Sequence, residues 1–269
     1  HSCPTTDNQA RVPSQYEAWT ITAASDPRLP GGGGYPITVY TPTAAAAAIP
    51  AQNYITWETD FGPARTSYWQ GVDFTLNARA SKGLTLQFGT NTGRKIDDTC
   101  ATAVKIDSPD PRDCRLSPPY QTTVRGLASY TVPRVDVLVS AAVRSQPPLP
   151  LVATWPVPNS VVVQLLGRVP PGGTAGGNTN VAILDNDHRL FADNRRTQVV
   201  MRVAKIFRLG RTRVDIGVDA ENLFNTNYAT AYSGTYQFSA GNTAMGGTWN
   251  NPTTLYPPRY ARLNFTVSF

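Results

Sequence analysis

Apolar and polar residues alternate one by one along residues 260–269. The odd positions from Ala261 to Phe269 are apolar, whereas the even positions from Tyr260 to Ser268 are mostly polar. Because successive side chains of a β-strand point to opposite faces, this period of two predicts a strand with one apolar and one polar face. We therefore expect a terminal strand over 260–269.

The same alternation recurs upstream in pairs of segments joined by short turns. Three β-hairpins are predicted, over residues 72–78 with 84–88, 122–130 with 135–143, and 197–207 with 212–220. The first of these turns, over 81–83, ends in Gly83, and short glycine-containing turns between alternating segments are typical of antiparallel hairpins. The pattern predicts an all-β, antiparallel region over 65–269.

Long segments rich in polar residues, glycine and proline separate the hairpins, over 91–119, 145–160, 170–194 and 230–258. Short turns alternating with long loops, and strands of about 9–11 residues, are typical of an outer-membrane barrel. We predict a transmembrane β-barrel segment of about 8–10 strands, with 91–119, 170–194 and 230–258 as external loops. Residues 1–64 carry only weak strand signals, over 16–23 and 37–41, and their organisation stays poorly defined.

The polar face of these strands carries charged residues, which suits a water-filled barrel lumen. A β-sandwich with one solvated face would show the same alternation. Strand length and the asymmetry of the connections favour the barrel. The candidates for lining the lumen are Asp73, Arg79, Arg125, Asp136, Arg202, Asp215, Asp219 and Arg262.

Charge and hydropathy exclude two classes of protein. The formal net charge is +6, only 16% of the residues are charged, and the arginines are scattered along the strands. Nucleic-acid-binding proteins cluster their positive charge on one face or helix, so no nucleic-acid partner is expected. No run of about 18 apolar residues occurs, so no transmembrane helix is predicted.

Cysteine and histidine usage narrows the chemistry further. Cys100 and Cys114 flank one polar loop and form a candidate disulfide in an oxidising compartment. His1 and His188 are the only histidines, and no Cys/His spacing of a zinc site is present. We therefore assign no metal and no cofactor.

No catalytic constellation emerges from the sequence. Asp215 and Asp219 lie on one face of one strand, about 13 Å apart by strand rise. That separation exceeds the one that paired carboxylates need in glycoside hydrolysis. We assign no catalytic residue, and whether the chain is an enzyme stays open, with the balance towards no.

Two stretches resemble the C-terminal part of TonB-dependent outer-membrane receptors. The sequence DAENLFN over 219–225, followed by a long loop and by PRYARLNFTVSF over 258–269, is similar to the corner and last strand of these receptors. The sequence YWQGVDFTLNAR over 68–79, with Gly83-Leu84 and TGRKIDD over 92–98, looks like a hairpin of the subgroup with carboxypeptidase-regulatory-like N-terminal domains.

The resemblance implies a function for the parent protein. A full-length receptor would sit in the bacterial outer membrane and take up an unknown solute by energy-coupled transport. Its partners would be outer-membrane lipid and the barrel-assembly machinery, which would recognise a terminal strand with Phe265, Val267 and Phe269. Neither a plug domain nor a TonB-contacting segment is evident in this sequence, so we expect a fragment of the receptor barrel.

The alternative function is a secreted β-sandwich protein that binds or hydrolyses polysaccharide. Aromatic side chains stack on sugar faces, and the candidates are Trp57, Trp69, Trp155, Trp249 and Tyr256. Aromatic girdles at the membrane interfaces of a barrel explain the same residues more simply.

Overall fold

A computed structural model describes residues 4–7, 12–49, 54–57, 65–80, 83–103, 109–184, 190–237 and 247–269. The chain is an all-β protein built mostly of antiparallel sheet, which confirms the predicted fold class at that level. None of the helices in these residues is long and apolar enough to cross a lipid bilayer.

The described residues contain sixteen strands, three short α-helices and two 3-10 helices, Pro13–Gln15 and Pro30–Gly32. The strands are β1 (Pro4–Asp7), β2 (Tyr16–Thr22), β3 (Pro36–Pro42), β4 (Tyr54–Trp57), β5 (Thr66–Ala80), β6 (Leu84–Asp98), β7 (Arg115–Leu116), β8 (Gln121–Val132), β9 (Val137–Gln146), β10 (Thr154–Pro158), β11 (Asn178–Ala182), β12 (Arg196–Leu209), β13 (Thr212–Glu221), β14 (Ala229–Tyr232), β15 (Pro252–Leu255) and β16 (Tyr260–Ser268). The α-helices are α1 (Ala44–Ala47), α2 (Cys100–Ala103) and α3 (Asn159–Leu166).

One large sheet contains the three predicted hairpins and the predicted terminal strand. Its order is β16-β13-β12-β9-β8-β6-β5, with β7 pairing at the end of β6, and its pairs are antiparallel. Short turns join β8 to β9 and β12 to β13, whereas long segments lead from β6 to β8, β9 to β12 and β13 to β16. Of the turn predicted over 81–83, residues 81 and 82 lie outside the described residues.

Two predicted boundaries are wrong. The loop predicted over 91–119 begins only after Asp98. The reason is that β6 pairs with β5 without a break, from Leu84 opposite Ala80 to Asp98 opposite Thr66, despite the polar and glycine residues of β6. The strand predicted from residue 135 begins at Val137, because Arg134 and Asp136 adopt positive φ angles of 72° and 48°, which belong to a turn. Asp136 is therefore a turn residue and not part of a strand face.

The register places most of the apolar residues of the seven main strands on one face, which we call the apolar face. Val203 of β12 stands opposite Val139 of β9 and Val218 of β13, and Val218 stands opposite Leu263 of β16. Much of this face is uncovered: Val72 is 72% exposed and Leu263 is 82% exposed, whereas Ile96 near the end of β6 is buried. The sheet is thus a single layer with an exposed apolar side.

The buried core lies elsewhere, in the long segments and the N-terminal region. We call it the loop core; it contains Trp19, Ile21, Ala23, Ala24, Leu29, Ile37, Ala153, Trp155, Val157, Val162, Val181, Ile183, Tyr236 and Trp249. Pairing of β2 with β3 and of β10 with β11 builds its framework. The segments predicted as loops over 145–160, 170–194 and 230–258 therefore hold short strands and a packed core of their own.

Polar contacts fix the loop core. Buried Asp26 accepts hydrogen bonds from the backbone and guanidinium of Arg28 and from the Tyr236 hydroxyl at 3.0 Å. Arg28 also lies over the Trp249 ring, 5.2 Å from its centroid. These contacts join the N-terminal region to the segment between β14 and β15.

Candidate functional site

The face opposite the apolar one, which we call the polar face, holds most of the predicted lumen-lining residues. Because side chains alternate between the two faces along each strand, the pairing of the strands puts these residues on the same face of the sheet. They are Asp73 and Arg79 of β5, Arg125 of β8, Arg202 of β12, Asp215 and Asp219 of β13, and Arg262 of β16. That they line a lumen stays a prediction.

Asp73 and Arg125 flank a shallow groove of about 330 Å³ on the polar face. Asn91 stands opposite Asp73 in the register and donates a hydrogen bond to its carboxylate. Thr75, Thr90 and Thr123 complete the polar part of the lining. The groove offers a carboxylate acceptor, a guanidinium cation and hydroxyl groups, which can form hydrogen bonds with a polar solute.

A network of charges crosses three strands at the other side of this face. Asp219, only 7% exposed, lies 3.7 Å from Arg202 Nε and 3.5 Å from Arg262 Nη2. Asn264 donates to Asp219, and Arg262 also donates to Glu221 at 3.1 Å. Each charge has an opposite partner, so the network neutralises itself and holds β12, β13 and β16 in register.

The remaining predicted charges do not join these groups. Asp215 is held by Arg213 of its own strand, with two hydrogen bonds of 2.9 Å. Asp136 pairs from its turn with Arg208 at 3.2 Å. Arg79 stands opposite Thr85, near the hairpin turn. The predicted set is therefore spread along the face and forms no single catalytic cluster.

Trp69 lies flat on the polar face, against two glycines that sequence reasoning did not single out. A Cβ atom built on Gly71 or on Gly93 would fall 2.3 Å from the Trp69 ring. Gly71 and Gly93 face each other across β5 and β6, so together they leave room for the indole. Trp69 and Asp73 are four positions apart on one strand, and this even spacing could have predicted that Trp69 lies on the polar face.

The other aromatic candidates for sugar stacking are placed differently. Trp155 and Trp249 are 6% and 1% exposed, because they pack in the loop core, and they present no free ring face. The side chain of Trp57 lies outside the described residues. Tyr256 stacks on Tyr228, with ring centroids 4.7 Å apart.

The corner at Asn222 joins β13 to the long segment that follows. Asn222 is buried with a φ of 50°, donates to the carbonyls of Thr226 and Pro257, and accepts from the backbone and hydroxyl of Thr226. Asparagine is one of the few residues that tolerates this backbone region. The Asn222 side chain therefore holds together Thr226 and Pro257, which lie at the two ends of the segment between β13 and β16.

Cys100 and Cys114 are joined by a disulfide, with Cα atoms 4.7 Å apart. The loop they close is tied to β11, since Arg112 donates to the carbonyl of Ala182 at 3.1 Å. Within the described part of the chain, no group of three or more His, Cys, Asp or Glu side chains could hold a metal ion.

Phe265 and Val267 lie on the apolar face of β16, and Phe269 follows with 99% of its surface exposed. The terminal strand therefore exposes its hydrophobic side chains. Recognition of this strand by the barrel-assembly machinery stays a prediction.

No protein family, no curated protein and no solved structure matches this chain. The class that the fold defines is an all-β protein with one large antiparallel sheet.

Proposed function

We propose that this chain is a segment of an outer-membrane β-barrel, from a receptor or transporter that takes up a solute by energy-coupled transport in its full-length parent. The observation that carries the proposal is the exposed apolar face, which continues across seven hydrogen-bonded strands. The resemblance of 219–225 and 258–269 to TonB-dependent receptors supports the same parentage.

Lipid is the surrounding that best suits the apolar face. Phe74 is 53% exposed, Phe207 is 42% exposed and Phe265 is 67% exposed. Monomeric soluble proteins rarely expose contiguous apolar patches larger than a few hundred Å². A β-sandwich would bury this face under a second sheet, yet these residues stay uncovered in the described part of the chain. The polysaccharide-binding alternative therefore gains no support from this face.

The polar face would line the aqueous lumen. Bilayers tolerate strands only where the backbone is paired and where polar side chains face away from lipid. β5 and β16 each pair on one side only among the described residues. In a complete barrel the unpaired edges of β5 and β16 would form hydrogen bonds with further strands.

The loop core would form the part outside the membrane. The long connections follow β6, β9 and β13 at one end of the sheet, whereas the short turns lie at the other end. In outer-membrane barrels the long loops are external and the short turns periplasmic. A folded loop core gives such loops a fixed surface with which to capture a solute.

Membrane fractionation and vesicle flotation test the proposal. The chain is purified in detergent, mixed with phospholipid vesicles, and the detergent is removed before flotation on a density gradient. We expect the chain to float with the vesicles and to resist extraction at high pH. A chain that stays soluble and monomeric after detergent removal would contradict the proposal.

A further inference from the structure

A second cavity, of about 200 Å³, lies where the polar face meets the segments of Tyr228 and Tyr256. We call it the arginine pocket. Its lining includes Arg144, Gln146, Arg196, Gln198, Tyr228 and Tyr256. None of these residues belongs to the groove or to the charge network described above.

Strand register builds the floor of the pocket. Arg144 of β9 stands opposite Gln198 of β12, and Gln146 stands opposite Arg196. Paired strands lie about 4.8 Å apart, and residues two positions apart on one strand are separated by about 6.6 Å. The two guanidinium groups and the two amides therefore converge on one small volume, with the arginines at diagonal corners.

The floor of the pocket carries positive charge that no carboxylate of the described residues pairs with. Among the described residues, neither Arg144 nor Arg196 forms a salt bridge with a carboxylate, and Arg196 Nε instead donates to the carbonyl of Pro147 at 3.1 Å. Arg125 adds a third positive charge directly opposite Arg144. Like charges opposite each other across a strand pair are destabilising, so a bound anion would stabilise the site.

Two tyrosines cover one side of the pocket. Tyr228 is 8% exposed and stacks on Tyr256, whose backbone N–H donates to the carbonyl of Tyr228 at 2.9 Å. Burial raises the pKa of the Tyr228 hydroxyl, while the charges of Arg196 and Arg144 act to lower it. The field of both arginines thus reaches a hydroxyl that stays protonated and can donate to an acceptor.

We infer that the arginine pocket binds the carboxylate or phosphate group of a small anionic solute. Guanidinium groups match such oxyanions by paired N–H donors, and each glutamine amide supplies two further donors. The inference rests on the proposed function, since it gives the class of solute that the polar face would receive.

Calorimetric titration of the full chain in detergent micelles tests the inference. The probes are inorganic phosphate, citrate as a source of carboxylates, and glucose as an uncharged control. We expect saturable binding of phosphate, citrate or both, and no binding of glucose. Preference for one anion identifies the group that the pocket takes, whereas the absence of binding by both would overturn the inference.

Matched variants locate the binding. Arg144→Gln and Arg196→Gln each remove a charged donor and should weaken binding at least about tenfold, with partial recovery in Arg196→Lys, which keeps the charge but not the fork. Arg79→Gln removes a charge from the same face near the hairpin turn and should leave the affinity unchanged. Equal weakening in all the glutamine variants, or no weakening in any of them, would overturn the inference.

Flotation of the same preparation with vesicles separates the two proposals. A chain that floats but binds neither anion overturns the arginine pocket alone. A chain that binds an anion through Arg144 and Arg196 but does not enter vesicles leaves the pocket standing and contradicts the barrel.

Discussion

The substitution Ala141→Arg places one charge in the middle of the apolar face. Ala141 stands opposite Ala128 of β8 and Met201 of β12, so it lies in the central strand of the large sheet and is surrounded by apolar neighbours. Ala142, the next residue, points to the polar face between Leu127 and Val200. Both alanines are exposed, so each receives the arginine without losing a packed side chain.

The expected free-energy cost differs strongly between the two positions. An arginine on the lipid side of an outer-membrane barrel costs about 2–4 kcal/mol near the bilayer centre. We expect Ala141→Arg to lower the free energy of unfolding by an amount in this range. Ala142→Arg would face water and should cost less than about 1 kcal/mol, a cost set by repulsion from neighbouring arginines.

Guanidinium titration of the chain in phospholipid vesicles, followed by tryptophan fluorescence, measures both free energies of unfolding. Each variant is compared with the unaltered chain at the same lipid-to-protein ratio. Equal costs at positions 141 and 142, or a larger cost at 142, would refute the reasoning that only one face meets lipid.

Three further predictions concern the segments outside the sheet. Asn222→Ala removes the hydrogen bonds of the corner and should lower the free energy of unfolding by about 1–3 kcal/mol, as measured by denaturant titration. Opening the disulfide by Cys100→Ser with Cys114→Ser should cost about 3 kcal/mol for a loop of about 15 residues, read from the same titration. The hydrogen bond from the Arg28 guanidinium lowers the pKa of Asp26, and burial raises the pKa of Tyr236. The loop core should therefore lose packing below about pH 4 and above about pH 10. Near-ultraviolet circular dichroism measures this loss.

The direction of these pH effects follows from linkage. Asp26 has a lowered pKa in the folded chain, so its stabilisation is complete above its unfolded pKa and is lost as the pH falls through the folded value. Tyr236 has a raised pKa, so folding favours its protonated form, and stability falls as the pH rises above the unfolded pKa.

Control variants make these three predictions falsifiable. Asn222→Gly keeps the positive φ but not the hydrogen bonds, so stability equal to that of the unaltered chain would contradict the role given to the side chain. Asp26→Asn should remove most of the acid transition, and an unchanged acid profile would contradict the assignment to Asp26. An unaltered denaturation midpoint in the double serine variant would show that the disulfide adds nothing.

The large sheet follows from the sequence because its signal is local. Alternation from Ala261 to Phe269 and within each hairpin specifies which side chains share a face, and the short turns specify which strands pair. The same parity places Asp73, Arg125 and Asp219 on one face. The prediction that Asp136 lies on the same face was wrong, because Asp136 belongs to a turn in which the alternation of a strand does not apply.

The loop core and the arginine pocket could not be predicted in the same way. Trp155, Tyr236 and Trp249 come from separate segments with no common period, and their contact depends on tertiary packing. Parity alone places Arg144 and Arg196 on the polar face. Their pocket exists only because the corner after Asn222 returns the chain towards β12, where Thr226 donates to the carbonyl of Thr197 at 2.8 Å.

Quenching by brominated lipid tests most directly whether the apolar face meets the bilayer. In a Cys3→Ser background, single cysteines at positions 261–267 of β16 are labelled with a fluorophore, and the chain is placed in vesicles that contain brominated acyl chains. If the apolar face meets lipid, we expect strong quenching at the odd positions, which include Leu263 and Phe265, and weak quenching at the even positions, which include Arg262 and Asn264. Quenching that is uniform along the strand, or absent at every position, would contradict the contact between the apolar face and the bilayer.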